Sequence, residues 1–284
     1  MHSSRRTPRV LAVFIAGIVV AAGSVFGGSA ATAVPTASPR PAIMAALGDS
    51  ITQAIQTCSS LSSCAANSWS TGTTASVNSQ ATRLRALTPA QPLTTYNNAA
   101  SGATSSALAT QAAKAVTQGA QYVTIEIGAN DACTRTIGAM TPTATFKTNV
   151  EAALGALAAN NSKREIFVAS IPNLLRMYEL NRTSSTARFT WSILGLCQSL
   201  LANPSSTNST DTARRAAVQT RVNEYNAVLA TACAATVNCR FDNGAVANTV
   251  FERSHISTRD YFHPSLSGQA LLANVTWPTT QWVS

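Results

Sequence analysis

Ala42-Ile43-Met44-Ala45-Ala46-Leu47, an unbroken apolar run that leads straight into Gly48-Asp49-Ser50, decides how the rest of the chain is read. A run this short, with no polar alternation and a glycine turn at its end, predicts a strand buried on both faces. Later stretches have the same form: Leu93 to Tyr96, Tyr122 to Ile127 and Ile166 to Ile171, with Arg240 to Phe241 as a fifth. Between them, apolar residues recur at helical spacing. Phe146, Val150, Leu154 and Leu157 form one such face, Val218, Val222, Tyr225, Leu229 and Ala232 another, and a closing helix is expected from about Ser265 to Val275. Strands alternating with helices predict an α/β fold, a parallel sheet covered on both sides. In such sheets ligands bind beyond the carboxyl ends of the strands. Ser50 follows the first strand, Ser101-Gly102 the second and Gly128-Ala129-Asn130-Asp131 the third. No internal repeat is present, and Asn203 to Asp211 reads as a loop.

The 284 residues fit one catalytic-sized domain once the N-terminus is set aside. Arg5, Arg6 and Arg9 precede an almost wholly apolar stretch from Val10 to Gly28, and Ala31-Thr32-Ala33 supplies a small-residue cleavage pattern. The expected organisation is therefore a signal peptide over 1–33, a flexible Pro- and Ser-rich leader over 34–41 and a single domain over 42–284. An uncleaved membrane anchor is the alternative. Arg5-Arg6 hints at twin-arginine export, but Pro8 and the strongly apolar core favour the ordinary route. The mature protein is expected to be extracellular and monomeric, without stable membrane insertion.

Removing the three signal arginines changes the formal charge from 20 − 11 = +9 to 17 − 11 = +6. The remaining basic residues are scattered, and the doublets Lys163-Arg164 and Arg214-Arg215 have no interleaved aromatics, so nucleic acid is a poor partner. All six cysteines lie in the exported part, where disulfides are expected rather than a metal site. Six cysteines allow 15 connectivities. Cys58 and Cys64 bracket a Ser-rich loop and Cys233 and Cys239 the end of a helix, which pairs neighbours and leaves Cys133 with Cys197. Closing that last loop would contribute roughly 2–5 kcal/mol.

The exported chain has two histidines, His255 and His263, too few for a multi-histidine metal centre but enough for one imidazole base. In Asp260-Tyr261-Phe262-His263-Pro264, a carboxylate three residues upstream can hold the imidazole in one tautomer. Taken alone, that spacing is a weak signal. Ser50 at a strand-to-helix turn can be a nucleophile or merely an N-cap. A serine attack needs donors for the developing oxyanion. The Gly102 N–H and the Asn130 amide suit that task, although an ordinary turn glycine and a loop-capping amide are the plain alternatives.

Taken together, Gly48-Asp49-Ser50, Asn98-Ala99-Ala100-Ser101-Gly102-Ala103, Ile127-Gly128-Ala129-Asn130-Asp131 and Asp260-Tyr261-Phe262-His263-Pro264 resemble, in order, the four blocks that define the SGNH (GDSL) hydrolase superfamily. The resemblance implies a flavodoxin-like three-layer α/β/α sandwich with a mainly five-stranded parallel sheet. It implies Ser50 as nucleophile and His263 as base, oriented by Asp260. The oxyanion hole would be the N–H groups of Ser50 and Gly102 with the Asn130 side chain. No metal or organic cofactor is implied. Cys133, just after the third block, with Trp191 to Asn203 later, resembles the secreted actinobacterial esterase/lipase branch, whose members commonly carry three disulfides, and this favours the Cys133–Cys197 pair.

The neighbouring carboxylates have plainer readings. Asp49 and Asp131 are expected to accept backbone N–H groups and hold their turns, and Glu126, between Ile125 and Ile127, to be a buried structural partner. Packing is the first expectation for Trp191, Trp277 and Trp282, with an acyl pocket as the alternative. No G-x-S-x-G motif marks the nucleophile elbow of the common α/β-hydrolases. The function implied is a serine esterase acting through an acyl-enzyme on short- to medium-chain esters. A polysaccharide deacetylase, a long-chain lipase and a non-catalytic carbohydrate-binding protein are the rivals.

Overall fold

Five short strands form one parallel sheet in the order β2-β1-β3-β4-β5, with β1 at Ile43–Gly48, β2 at Thr94–Asn97, β3 at Tyr122–Glu126, β4 at Glu165–Val168 and β5 at Cys239–Phe241. The computed structural model describes residues 39–283 apart from 60, 61, 160 and 162. The expected signal segment and leader residues 34–38 lie outside the described residues. Where the leader ends, Pro41 is buried.

Position in the sheet explains the composition of each strand. The central β1 and β3 are buried almost throughout, which is why β1 reads as a continuous apolar run and β3 as one interrupted only by Thr124 and Glu126, while the edge strand β2 alternates exposed and half-buried residues. The apolar run Ile166 to Ile171 extends beyond β4 for a local reason. Asn226 accepts the Ile171 N–H at 2.8 Å and donates to its carbonyl at 3.1 Å, taking both groups out of the ladder.

The helices are α1 (Gln80–Leu87), α2 (Leu108–Thr117), α3 (Ala129–Ala132), α4 (Thr143–Ala159), α5 (Leu174–Asn181), α6 (Ser185–Leu194), α7 (Gln198–Leu201), α8 (Ser209–Ala234) and α9 (Leu266–Thr276). They cover both faces of the sheet. α2, α4 and α8 pack side by side on one face, where Phe146 stacks on Tyr225 with ring centroids 4.2 Å apart. On the other, Tyr122 of β3 donates to Gln80 of α1 at 2.5 Å and meets the Trp282 ring edge-on at 5.5 Å. α8 begins before its apolar periodicity does, because the Asn208 side chain caps it by accepting the Asp211 N–H at 2.7 Å.

Cys58 is bonded to Cys64, Cys133 to Cys197 and Cys233 to Cys239. The second bond ties the end of α3 to the start of α7, so the short helix carrying Asn130 is anchored to the α5–α7 segment. Among the described residues no helix is long and apolar enough to cross a membrane, and no cluster of His, Cys, Asp and Glu is arranged to hold a metal ion.

Candidate active site

The turn after β1 is built around a glycine. Gly48 has φ +143°, and a Cβ there would sit 2.1 Å from the Glu126 carbonyl oxygen, so no side chain fits. Gln111 of α2 holds this glycine from both sides, accepting its N–H at 2.7 Å and donating to its carbonyl at 2.9 Å. Asp49 Oδ1 then accepts the Ile51 N–H at 2.9 Å. Ser50 is thereby presented at the carboxyl edge of the sheet, between two fixed neighbours.

The other partner arrives from 213 residues away in sequence. Asp260 opens a tight loop by accepting the N–H of Phe262 at 2.9 Å and of His263 at 3.0 Å through Oδ1. Tyr261, with φ +58°, turns the chain back, and the His263 carbonyl accepts the Ser257 N–H at 2.8 Å. The second oxygen, Asp260 Oδ2, lies 2.5 Å from His263 Nδ1, and His263 Nε2 lies 2.8 Å from Ser50 Oγ. With Nδ1–H donated to the carboxylate, Nε2 is left as an acceptor for the serine proton. Burial pushes the Asp260 carboxyl up, but the hydrogen bond and charge of His263 and the two backbone N–H groups outweigh it, and the net shift is downward. The carboxylate therefore stays charged beside the imidazole.

Gly102 and Asn130 come to the same edge. Gly102 has φ +77° with open space where a Cβ would be, and among the described hydrogen bonds neither its N–H nor that of Ser50 has an acceptor within the protein. Asn130 Nδ2 donates to the Ala103 carbonyl at 2.9 Å, which fixes the amide and leaves its second N–H free. Asp131 holds the loop, accepting the Ser105 N–H at 2.8 Å and hydroxyl at 2.7 Å. Its carboxyl is raised by burial, against those two bonds.

Ser50, Asn130 and His263 share a cavity of about 20 Å³ walled by Ile51, Ala129, Pro172, Leu174, Met177 and Phe262. Larger hollows, such as one of about 500 Å³ beside Tyr178 and Arg215, contain none of these polar groups. The tryptophans do not line the small cavity; Trp191 is fully buried against Tyr178. Sequence reasoning missed the walls supplied by Pro172, Leu174 and Met177. The only local signal was Pro172-Asn173, a turn followed by a capped helix, where Asn173 accepts the Arg176 N–H at 2.9 Å.

A sheet of this strand order, with the Gly48-Asp49-Ser50 turn at its carboxyl edge, places the chain among the SGNH hydrolases, enzymes of ester substrates. The GDSL-like lipase/acylhydrolase family matches residues 46–271, and the chain belongs to that family. Among curated proteins no match is found. Similar solved structures include an extracellular lipase from Streptomyces rimosus, 18% identical with a TM-score of 0.50 over 84% of this chain and 99% of that one. An acetyl xylan esterase from Geobacillus stearothermophilus is 15% identical, with a TM-score of 0.50 over 82% of this chain and 91% of that one. At these identities the likeness is one of fold.

Proposed function

We propose that the protein is a secreted serine esterase that hydrolyses short- to medium-chain carboxylic esters through an acyl-enzyme. The observation that carries this reading is the unbroken series from Ser50 Oγ through His263 to Asp260, at 2.8 and 2.5 Å. His263 takes the Ser50 proton as Oγ attacks the ester carbonyl, and returns it to the leaving alcohol. Water, activated by the same imidazole, then releases the acid and restores Ser50. Asp260 fixes the imidazole and balances its charge. The free N–H groups of Ser50 and Gly102, with the Asn130 amide, receive the oxyanion. No step calls for a metal or an organic cofactor. The small, mostly apolar cavity supports a short acyl group over a long one. Acetyl is the shortest common acyl group, and the small cavity therefore keeps deacetylation of a polysaccharide as a second reading.

The apolar N-terminal segment with its arginines, together with three disulfides, supports export by a signal peptide over 1–33. An organophosphonate tests the enzymatic reading directly. One equivalent should attach to Ser50 and block hydrolysis of nitrophenyl acetate. A binding protein that merely kept the fold would leave Ser50 unlabelled, and that result would end the proposal.

A further inference from the structure

Folded proteins ordinarily avoid burying a carboxylate without a positive partner, and beside Ser50 there are two buried carboxyls. Asp49 is 0% exposed and Glu126 1%. The β1–β3 register sets Gly48 opposite Glu126, and the Asp49 and Glu126 side chains lie against each other. One of their four oxygens, Asp49 Oδ1, is satisfied by the Ile51 N–H. The other three, Asp49 Oδ2 and both Glu126 oxygens, meet no N–H or hydroxyl donor of the protein. The charged and titratable groups acting on the pair are His263 and Asp131 at Asp49, and Asp242 at Glu126. Neither lysine nor arginine is among them. Two adjacent anions in such a place repel each other, and a proton on one of the two both removes that repulsion and supplies a donor to the other.

We infer that Asp49 and Glu126 hold one proton between them, with Glu126 as donor and Asp49 as anion, and that the pair is a positioning device for Ser50 and His263. The division follows from the surroundings. Asp49 has a backbone donor and the nearby imidazole to favour its charge, while Glu126 has neither and faces Asp242 as well. Burial first, and then Asp49, pushes the Glu126 carboxyl well above its ordinary range. Burial also raises Asp49, to about 7, against the pull of the Ile51 N–H and His263. The anion on Asp49 ties the residues on either side of Ser50 and adds to Asp260 in favouring the charged imidazole as His263 accepts the serine proton. As pH falls through about 7 the pair takes up a second proton and that support is lost.

The proton-sharing half of this inference stands by itself, whereas the positioning half rests on the esterase reading. Infrared spectroscopy of the mature protein at pH 8 reads the first. An un-ionised carboxyl band should be present in the wild type and absent in Glu126→Gln. A wild type with no such band, or a band that survives in Glu126→Gln, overturns the shared proton. The pH profile of kcat/KM reads the second. The wild-type acid limb should carry two ionisations and that of Asp49→Asn only one. Glu126→Gln puts a neutral amide donor in place of the protonated Glu126, so its limb should stay close to that of the wild type. Glu126→Leu leaves Asp49 Oδ2 with no donor and only the Ile51 N–H on Oδ1, so the limb should move to higher pH. A limb unmoved in Glu126→Leu, or moved as far in Glu126→Gln, would overturn the positioning role. Absence of turnover in the wild type at every pH would sink the esterase reading and the positioning role with it, while the infrared band would still decide the pair.

Discussion

On the proposed reading, the chemistry at Ser50 reduces to which group holds one proton, and the geometry makes each neighbour's share measurable. Asn130→Ala should lower kcat for nitrophenyl acetate by about 10²–10³, with KM little changed, because the oxyanion forms only in the transition state. Asp260→Asn replaces a charged acceptor with an amide that no longer favours the Nδ1–H tautomer, and a loss of about 10⁴ in kcat is expected. Should that variant keep full activity, a backbone carbonyl rather than Asp260 would have to orient His263. Of these roles, the turn-holding by Asp49 was legible in the sequence, since short acidic side chains after a strand commonly accept local N–H groups, whereas Asp131 accepts its backbone N–H from Ser105, 26 residues away, a partner the local pattern does not name. The Asp49–Glu126 contact was not. Glu126 gave only an expectation of burial, and nothing in its spacing says which side chain it meets.

At the level of elements, α5 closes the cavity that β1 and α3 open. Leu174 and Met177, three positions apart on one face of α5, form its inner wall, and both are almost wholly buried. If this cavity takes the acyl group as proposed, Met177→Ala should deepen it, raising the ratio of hexanoate to acetate hydrolysis in a nitrophenyl ester series, at a stability cost of about 2–5 kcal/mol. An unchanged ratio would mean that acyl chains run elsewhere. This wall was hidden in the sequence because α5 is only two turns long, too short for its apolar spacing to stand out. The inner strands β1, β3 and β4 were legible, since burial on both faces leaves a mainly apolar signature, whereas β2 and β5 at the edges are half exposed and carry less of it. Their ends were less so: β4 stops at Val168 because Asn226, on a helix distant in sequence, takes the Ile171 groups.

For the molecule as a whole, the raised Asp49 carboxyl links stability to pH. An aspartate that titrates near 3.9 when unfolded and at about 7 when folded binds its proton more tightly in the native state, so its contribution is full below pH 4 and falls away as pH rises to 7. The loss above that window is on the order of 4 kcal/mol. Asp49→Asn, which keeps an oxygen for the Ile51 N–H, should therefore gain stability relative to wild type in urea unfolding at pH 8, and the gain should shrink at pH 4.5. An equal difference at both values would show that Asp49 is not shifted. By itself the sequence determined the layered α/β class, the sheet and the four polar blocks, because burial periodicity and turn chemistry are local and survive in a linear chain. Only the tertiary structure decided what meets what: His263 against Ser50 across 213 residues, Asp49 against Glu126, and α5 against the cavity. Those encounters depend on how strands are ordered in the sheet and which helix covers each edge, and no local pattern records that order.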